Sequence, residues 1–295
     1  MMNTLVITMT SDTARSISVS GFTDIGMKRK MNEDALLLAD LANFNFSLGS
    51  RINTGHLSER GALLVVADGM GGAAAGEVAS ELAVMTLLDE LTQGANVKAI
   101  SLRLKEAVEN TNRRIWEYAQ QHPELKGMGT TLTAAVISNG LVYIAQVGDS
   151  RAYLLRGKNI TQITKDQSLV QRWLDAGLLD VEEAQVHPYR NILTQSLGIG
   201  PSVKVAGAEF PLYRNDYLLL CSDGLSNKIS PQEMLRALWE SSNISETCRK
   251  LIDEANRRGG EDNITVIVAR FDGDALSAGD EEQPAASGND FGVAR

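Results

Sequence analysis

The chain has 295 residues, 43% of them hydrophobic, a formal net charge of −9 and a pI near 5.0, which suits one large domain or two small ones with a full core. The acidic balance argues against phosphate-backbone binding, so nucleic acid is excluded as a main partner. Its two cysteines, Cys221 and Cys248, lack a CxxC arrangement, which speaks against a disulfide framework or a zinc site, and no apolar run approaches the roughly 18 residues of a membrane span.

Residues 1–15 read as an irregular N-terminal arm with an edge strand at 5–8. They lack the charged start and long apolar core of a secretory signal, so a soluble, cytoplasmic protein is expected. Residues 62–67 (ALLVVA) have the character of a buried strand. Apolar residues at Val78, Leu82, Met85, Leu88 and Leu91 are spaced as on a helix over 77–91, and Ile100, Leu104, Ala107, Val108, Thr111, Ile115 and Tyr118 repeat the pattern over 100–118. Strands then follow at 131–137, 141–147 and 151–156. Asn139-Gly140 is a type I′ hairpin signal. Gly148-Asp149-Ser150 is equally short and predicts a second hairpin, because parallel neighbours would need a long crossover. Residues 166–198 read as a helical flap inserted between sheet strands, and insertions of this kind often border active sites. Strands at 217–221 and 264–271 and helices at 231–239 and 246–257 complete an α+β pattern. From Asp274 onward the chain holds five acids and one base among Ala, Ser and Gly. Such a segment cannot bury enough apolar surface to offset its ordering entropy, so 273–295 is expected to be a disordered acidic tail.

Acids recur at the ends of these apolar runs or beside glycines: Asp34 in NED, Asp68 in ADGMGG, Asp149 in VGDSR, Asp223 in CSDGL and Asp262 in EDN. Any one of them suits a turn, where Asp bonds its own backbone. Several converging at strand ends would repel unless cations neutralised them. Glycine lets the backbone approach an ion, and oxygen donors without His or Cys favour magnesium or manganese over zinc. Arg29 lies in a Lys-Arg-Lys cluster five residues before Asp34. It reads either as part of a solvated basic face or as a fork that holds a phosphate beside metal ions.

RKMNED, ADGMGG, GTTLTAAV, VGDSRAYLL, the SLVQ…AGLL…HPYRNILTQSLG stretch, CSDGL and GGEDNITVIVA occur in an order and spacing that resemble the metal-dependent serine/threonine phosphatases of the protein phosphatase 2C (PPM) family, bacterial type. The resemblance covers about residues 16–272. It implies a four-layer αββα sandwich of two antiparallel sheets flanked by antiparallel helix pairs, with a flap insertion at about 166–198. It also implies a cleft holding Mn2+ or Mg2+, two ions in the core site and a weaker third. By the resemblance, Asp68 bridges two ions, the Gly69 carbonyl binds the first, and Asp34, Asp223 and Asp262 complete the second. Asp149 and Asp223 hold the third, Glu33 ligates through water, and Arg29 binds the phosphate. The catalytic group would thus be Arg29, Asp34 and Asp68. The implied activity is hydrolysis of phosphoserine and phosphothreonine on proteins by a metal-activated water, opposing a Ser/Thr kinase, in a monomer. The chain departs from the family at two places. Met70 stands where many eukaryotic members have a histidine proposed as general acid, and Gln167 stands where the family often has histidine.

Three rival readings share parts of this pattern. Residues 69–74 (GMGGAA) satisfy a dinucleotide-binding spacing, with Asp89 about 20 residues further on. Asp68 would, however, face the pyrophosphate, and Asp89 falls inside a helix rather than at a strand end. A cysteine phosphatase needs Arg six residues after its Cys, but Asn227 and Glu254 stand there after Cys221 and Cys248. A catalytically inactive phosphoprotein-binding module of the same fold would lack a metal ligand, and no expected ligand is missing.

Overall fold

The structure is a computed structural model that describes residues 17–41, 45–48, 51–52, 61–71, 75–93, 99–272 and 289–290. The expected arm at 1–15 and its strand at 5–8 lie outside the described residues, as does most of the 273–295 tail. Strands Ile17–Asp24 (β1), Asp34–Asp40 (β2), Asn45–Leu48 (β3), Arg51–Ile52 (β4) and Ala62–Met70 (β5) precede helices Ala75–Gln93 (α1) and Ile100–Gln121 (α2). Gly129–Thr130 (β6), Leu132–Ser138 (β7), Leu141–Val147 (β8), Arg151–Arg156 (β9) and Asn159–Gln162 (β10) lead into the short helices Leu169–Asp175 (α3) and Val181–Val186 (α4). Ala206–Pro211 (β11), Tyr217–Cys221 (β12), Asp223–Ser226 (α5), Pro231–Trp239 (α6), Ile244–Arg257 (α7), Ile264–Phe271 (β13) and Asn289–Asp290 (β14) complete the described elements. The last lies within the predicted tail and pairs with Ala206–Gly207.

These strands form two antiparallel sheets. The first runs β14-β11-β8-β7-β5-β2-β3, with β6 paired to β5, and the second runs β10-β9-β12-β13-β1-β4. Successive side chains alternate faces along a strand, and in β2 and β5 both faces are apolar. Leu36, Leu38, Leu64 and Val66 meet Leu218, Leu220, Ile267 and Ala269 between the sheets. Ala35, Leu37, Leu63, Val65 and Ala67 face α1 and α2. On the far side, Leu219, Cys221, Val266 and Val268 pack against Met234, Leu238, Cys248 and Leu251 of α6 and α7. The result is the expected α+β sandwich of four layers, and it explains why ALLVVA carries no polar alternation: both of its faces are covered.

Two local expectations needed correction. The face of α1 that packs on the sheet is Ala79, Ala83, Val84, Leu87, Leu88 and Leu91, while Val78, Leu82 and Met85 are only partly buried against the same core. Small side chains there let the helix approach β5 closely: a Cβ on Gly69 would meet the Gly76 carbonyl oxygen at 2.1 Å. The second correction concerns 148–150. Asn139 and Gly140 have φ of 53° and 77° and close the β7–β8 hairpin as predicted. The equally short link after β8 closes no hairpin, because β8 lies in the first sheet and β9 in the second. Gly148, at φ 104°, turns the chain across the sandwich and leaves Asp149 at the end where the sheets meet.

Candidate active site

The site begins with a register. β2 and β5 pair so that Asp34 lies directly opposite Asp68. Like charges facing each other across a ladder are destabilising, and the other acids gather round this pair. β12 ends at Cys221, and Ser222 precedes the short α5 that begins at Asp223, without a capping bond from its side chain. Asp262 sits in the turn before β13. A Cβ on Gly224 would meet the Asn263 carbonyl oxygen at 2.0 Å, so only glycine lets these two segments close together.

Asp34 is buried, and its Oδ2 accepts hydrogen bonds from Thr265 Oγ1 at 2.6 Å and Ser222 Oγ at 2.8 Å. Its Oδ1 is buried without a partner among the described residues, as is Oδ1 of Asp223. Burial, with the Asp223 and Asp262 charges adding, pushes the Asp34 carboxyl up to about 7 despite those two hydroxyls. Burial and then Asp262 push Asp223 up to about 6, while a hydrogen bond with Asp68 pulls the other way. Asp68 is raised well above the usual carboxylate range by burial and then by Asp34, Asp223, Asp149 and Asp262. Asp149 is raised likewise by burial, Asp223 and Asp166, with Arg151 opposing. The five aspartates picked out by their flanking sequence are therefore brought into one electrostatic group.

That group fits divalent cations in charge and donor type. Two carboxyls within hydrogen-bonding reach of each other require a proton or a cation between them, and the orphaned oxygens of Asp34 and Asp223 are acceptors without a donor. Among the described residues no three Asp, Glu, His or Cys side chains are arranged to hold an ion as they stand. An ion held by fewer than three of these side chains would complete its shell with water and backbone carbonyls, as hard cations commonly do.

Several residues that shape this group were not singled out in the sequence. Asn263, 3% exposed, donates through Nδ2 to the carbonyls of Ile25 and Met31, both at 3.0 Å, and accepts from Glu33 N at 2.8 Å. It thereby ties the loop carrying Arg29 and Glu33 to the loop carrying Asp262. Thr131 receives the Asp68 amide on Oγ1 at 3.0 Å and contacts Ser150 Oγ at 2.7 Å, linking Asp68 to the turn that carries Asp149. With Ser222 and Thr265, all five fall inside the quoted motifs, Thr131 in GTTLTAAV, Ser150 in VGDSRAYLL, Ser222 in CSDGL, and Asn263 and Thr265 in GGEDNITVIVA, but Ser, Thr and Asn are common in turns and their residue types alone did not mark a role.

Arg29 is exposed. Its Nη2 donates to Asp262 Oδ2 at 2.8 Å, while Nη1 lies 3.9 Å from Glu33 Oε2. The hydrogen bond to Asp262, above all, raises its pKa, so it stays charged at the rim of the acidic group. Gly69 accepts no side chain, and its N–H donates to the Glu33 carbonyl at 3.0 Å. Met70 brings no titratable group. Of the histidines, His56 lies outside the described residues, His122 stacks on Tyr118, and His187 sits in the flap against Trp173. A cleft of 1190 Å³ runs beside Asp149, Asp223 and Asp262 toward Val170, Leu174, Val181 and Arg190 of the flap. Asp34 and Asp68 lie outside its lining.

Comparison with known proteins gives the family and the fold. The family model described as Protein phosphatase 2C matches residues 53–253. The serine/threonine phosphatase stp of Listeria monocytogenes serovar 1/2a is 43% identical over 213 residues, covering 71% of this chain and 84% of that protein. The crystal structure of the Mycobacterium tuberculosis serine/threonine phosphatase PstP/Ppp superposes with a TM-score of 0.74 at 36% identity, over 87% of this chain and 99% of that one. A structure of the catalytic domain of PstP in complex with 2 manganese ions gives a TM-score of 0.72 at 35% identity, over 88% and 99% of the two chains. The chain belongs to the protein phosphatase 2C family. No helix among the described residues is long and apolar enough to cross a membrane.

Proposed function

We propose that this chain is a metal-dependent protein serine/threonine phosphatase that removes phosphate from phosphoserine and phosphothreonine by hydrolysis. The observation that carries the reading is the cross-strand pair Asp34–Asp68 with a buried, partnerless Asp34 Oδ1. Such a pair has little purpose in a fold unless a cation joins it. Asp68 and the Gly69 carbonyl would hold one ion, and Asp68, Asp34, Asp223 and Asp262 a second. Asp149 with Asp223 would hold a third and weaker one, with Glu33 reaching the site through water. Manganese is favoured by the metal in the related PstP structure, and magnesium suits the same oxygen donors. When bound, the ions supply an activated water and charge neutralisation for the phosphoryl group.

The protein's own side chains do the rest. Arg29 presents a planar fork at the rim of the acids, suited to two phosphate oxygens, and Asp262 and Glu33 orient it. No described histidine stands in the site, so the leaving oxygen of serine or threonine takes its proton from water or from another group than a histidine. The cleft between the acids and the flap is lined by Val170, Leu174, Val181 and Arg190 on the flap side, which suits a peptide chain carrying the phosphorylated residue. The partners are therefore phosphoproteins, and a Ser/Thr kinase that makes them is the opposing enzyme; we assign the phosphatase to the cytoplasm as a monomer. An inactive phosphoprotein-binding module would have lost a ligand residue, and the sequence keeps Asp34, Asp68, Gly69, Asp149, Asp223 and Asp262.

Hydrolysis of a phosphothreonine peptide tests the reading. Turnover should require Mn2+ or Mg2+, stop in excess EDTA, and be lost in Asp223→Asn while the fold is retained. Full turnover in EDTA, or an undiminished Asp223→Asn enzyme, would remove the metal site from the mechanism.

A further inference from the structure

The turn that carries Asp149 is held from outside the sandwich by one flap residue. Gly148 is buried and sits at φ +104°, where a Cβ would meet Thr131 Cβ and Cγ2 at 2.7 Å. A backbone in this region keeps one geometry only when its surroundings over-determine it. Gln167 supplies much of that constraint. Its Oε1 accepts the Gly148 N–H at 2.8 Å, and its own N–H donates to the Gly148 carbonyl at 2.9 Å. Gln146 Nε2 reaches the same carbonyl at 3.1 Å from within the sheet. The Gly148 amide therefore depends on Gln167, and its carbonyl is shared.

Gln167 also joins the two roots of the flap. It lies just before α3, at the flap's start, and its carbonyl accepts both N and Oγ1 of Thr194, at the flap's end, at 2.7 and 2.9 Å. Its Nε2 donates to the Lys204 carbonyl at 3.3 Å. Its neighbour Asp166 makes a bidentate pair with Arg151, at 2.9 and 2.7 Å, on the other side of the same turn. From Gly148 the contacts continue through Ser150 and Thr131 to the Asp68 amide.

We propose that Gln167 is a positioning residue: it fixes the Gly148–Asp149 turn to the flap roots, and so sets how well Asp149 is presented to the weaker metal position. The proposal rests on the reading of Asp149 as a ligand given above. Residues that orient ligands from behind typically change metal affinity by roughly 10- to 100-fold when lost. Because Gln167 acts through backbone and not on the carboxylate itself, about tenfold is expected here.

The test uses the full chain with Gln167→Leu, which keeps the volume and the backbone contacts but removes the acceptor for Gly148 N–H. Gln167→His, which can offer a ring nitrogen, is the rescue variant. Amide hydrogen exchange at 148–150 is measured on metal-free protein, and Mn2+ binding is titrated directly without substrate. In Gln167→Leu the Gly148 amide should exchange about tenfold faster, and the weakest Mn2+ equivalent should bind about tenfold less tightly. The tighter equivalents should be unchanged, and Gln167→His should restore both readouts. Should the leucine variant fail to fold, Thr194→Val, which removes only the flap-side hydroxyl, should move both readouts in the same direction by a smaller factor. Unchanged exchange overturns the proposal, and so does faster exchange with an unaltered weak equivalent. A wild-type protein with no weak equivalent at all removes Asp149 as a ligand and the proposal with it; that failure shows before any substitution is made.

Discussion

Asp34→Asn should stabilise the metal-free protein while destroying its use as an enzyme. The wild-type carboxyl is held up to about 7 in the fold, mainly by burial, against about 3.9 in an unfolded chain. Between those values the folded state binds more protons than the unfolded state, so metal-free stability falls as pH rises from about 4 to about 7. The gap of about three pH units corresponds to about 4 kcal/mol at pH 8, a ceiling that relaxation of the neighbouring acids reduces. Asparagine keeps an oxygen for Ser222 and Thr265, and its amide can face the partnerless position now held by Oδ1. In EDTA at pH 8 the variant should melt several degrees above wild type, with roughly 10 °C as the upper range for a domain of this size. The advantage should shrink steadily toward pH 4. In excess Mn2+ the order should reverse, because only the wild type gains the full binding energy. Thermal melts of both proteins at two pH values, with and without metal, make the comparison. A wild type that is the more stable protein in EDTA at pH 8 would refute the reasoning, since the charge on Asp34 would then be compensated within the protein itself.

Arg29→Ala should raise KM for a phosphothreonine peptide by about tenfold and lower kcat less, as expected when a ground-state phosphate contact is removed. Steady-state kinetics at saturating Mn2+ would reassign Arg29 to the transition state if kcat fell more than KM rose. Gly224→Ala places a methyl group against the Asn263 carbonyl and should cost about 1–3 kcal/mol through overpacking. It should also weaken Mn2+ binding, because Asp223 and Asp262 lie on either side of the clash, and calorimetric titration would detect this. Arg156 pairs with Asp216 through Nε at 3.0 Å and Nη2 at 2.8 Å, donates to the Pro211 carbonyl at 3.0 Å and lies 4.4 Å over the Tyr213 ring. Arg156→Ala leaves Asp216, 1% exposed, buried without its cation. Denaturant unfolding should show a loss of about 3–5 kcal/mol, while kcat/KM at 25 °C stays at the wild-type value.

Much of the fold was legible because it is set by local pattern. The strands at 141–147, 151–156, 217–221 and 264–271 and the helix at 231–239 stand where apolar runs and turn residues put them. The acids were legible for a related reason: a carboxylate at the end of an apolar strand or against a glycine needs an explanation that the strand itself does not supply. The tertiary structure decided what those acids meet. The register that sets Asp34 against Asp68, and the Thr265 hydroxyl that reaches Asp34 from 231 residues away, depend on pairing between distant segments. So does the passage of the chain at Gly148 from one sheet to the other, where a short link that reads as a hairpin instead carries Asp149 to the site. The alanine face of α1 was equally hidden, since close approach to β5 favours small side chains over the larger apolar residues that mark a helix in sequence. Short-range chemistry is written along the chain; partners that meet only after two sheets have stacked are not.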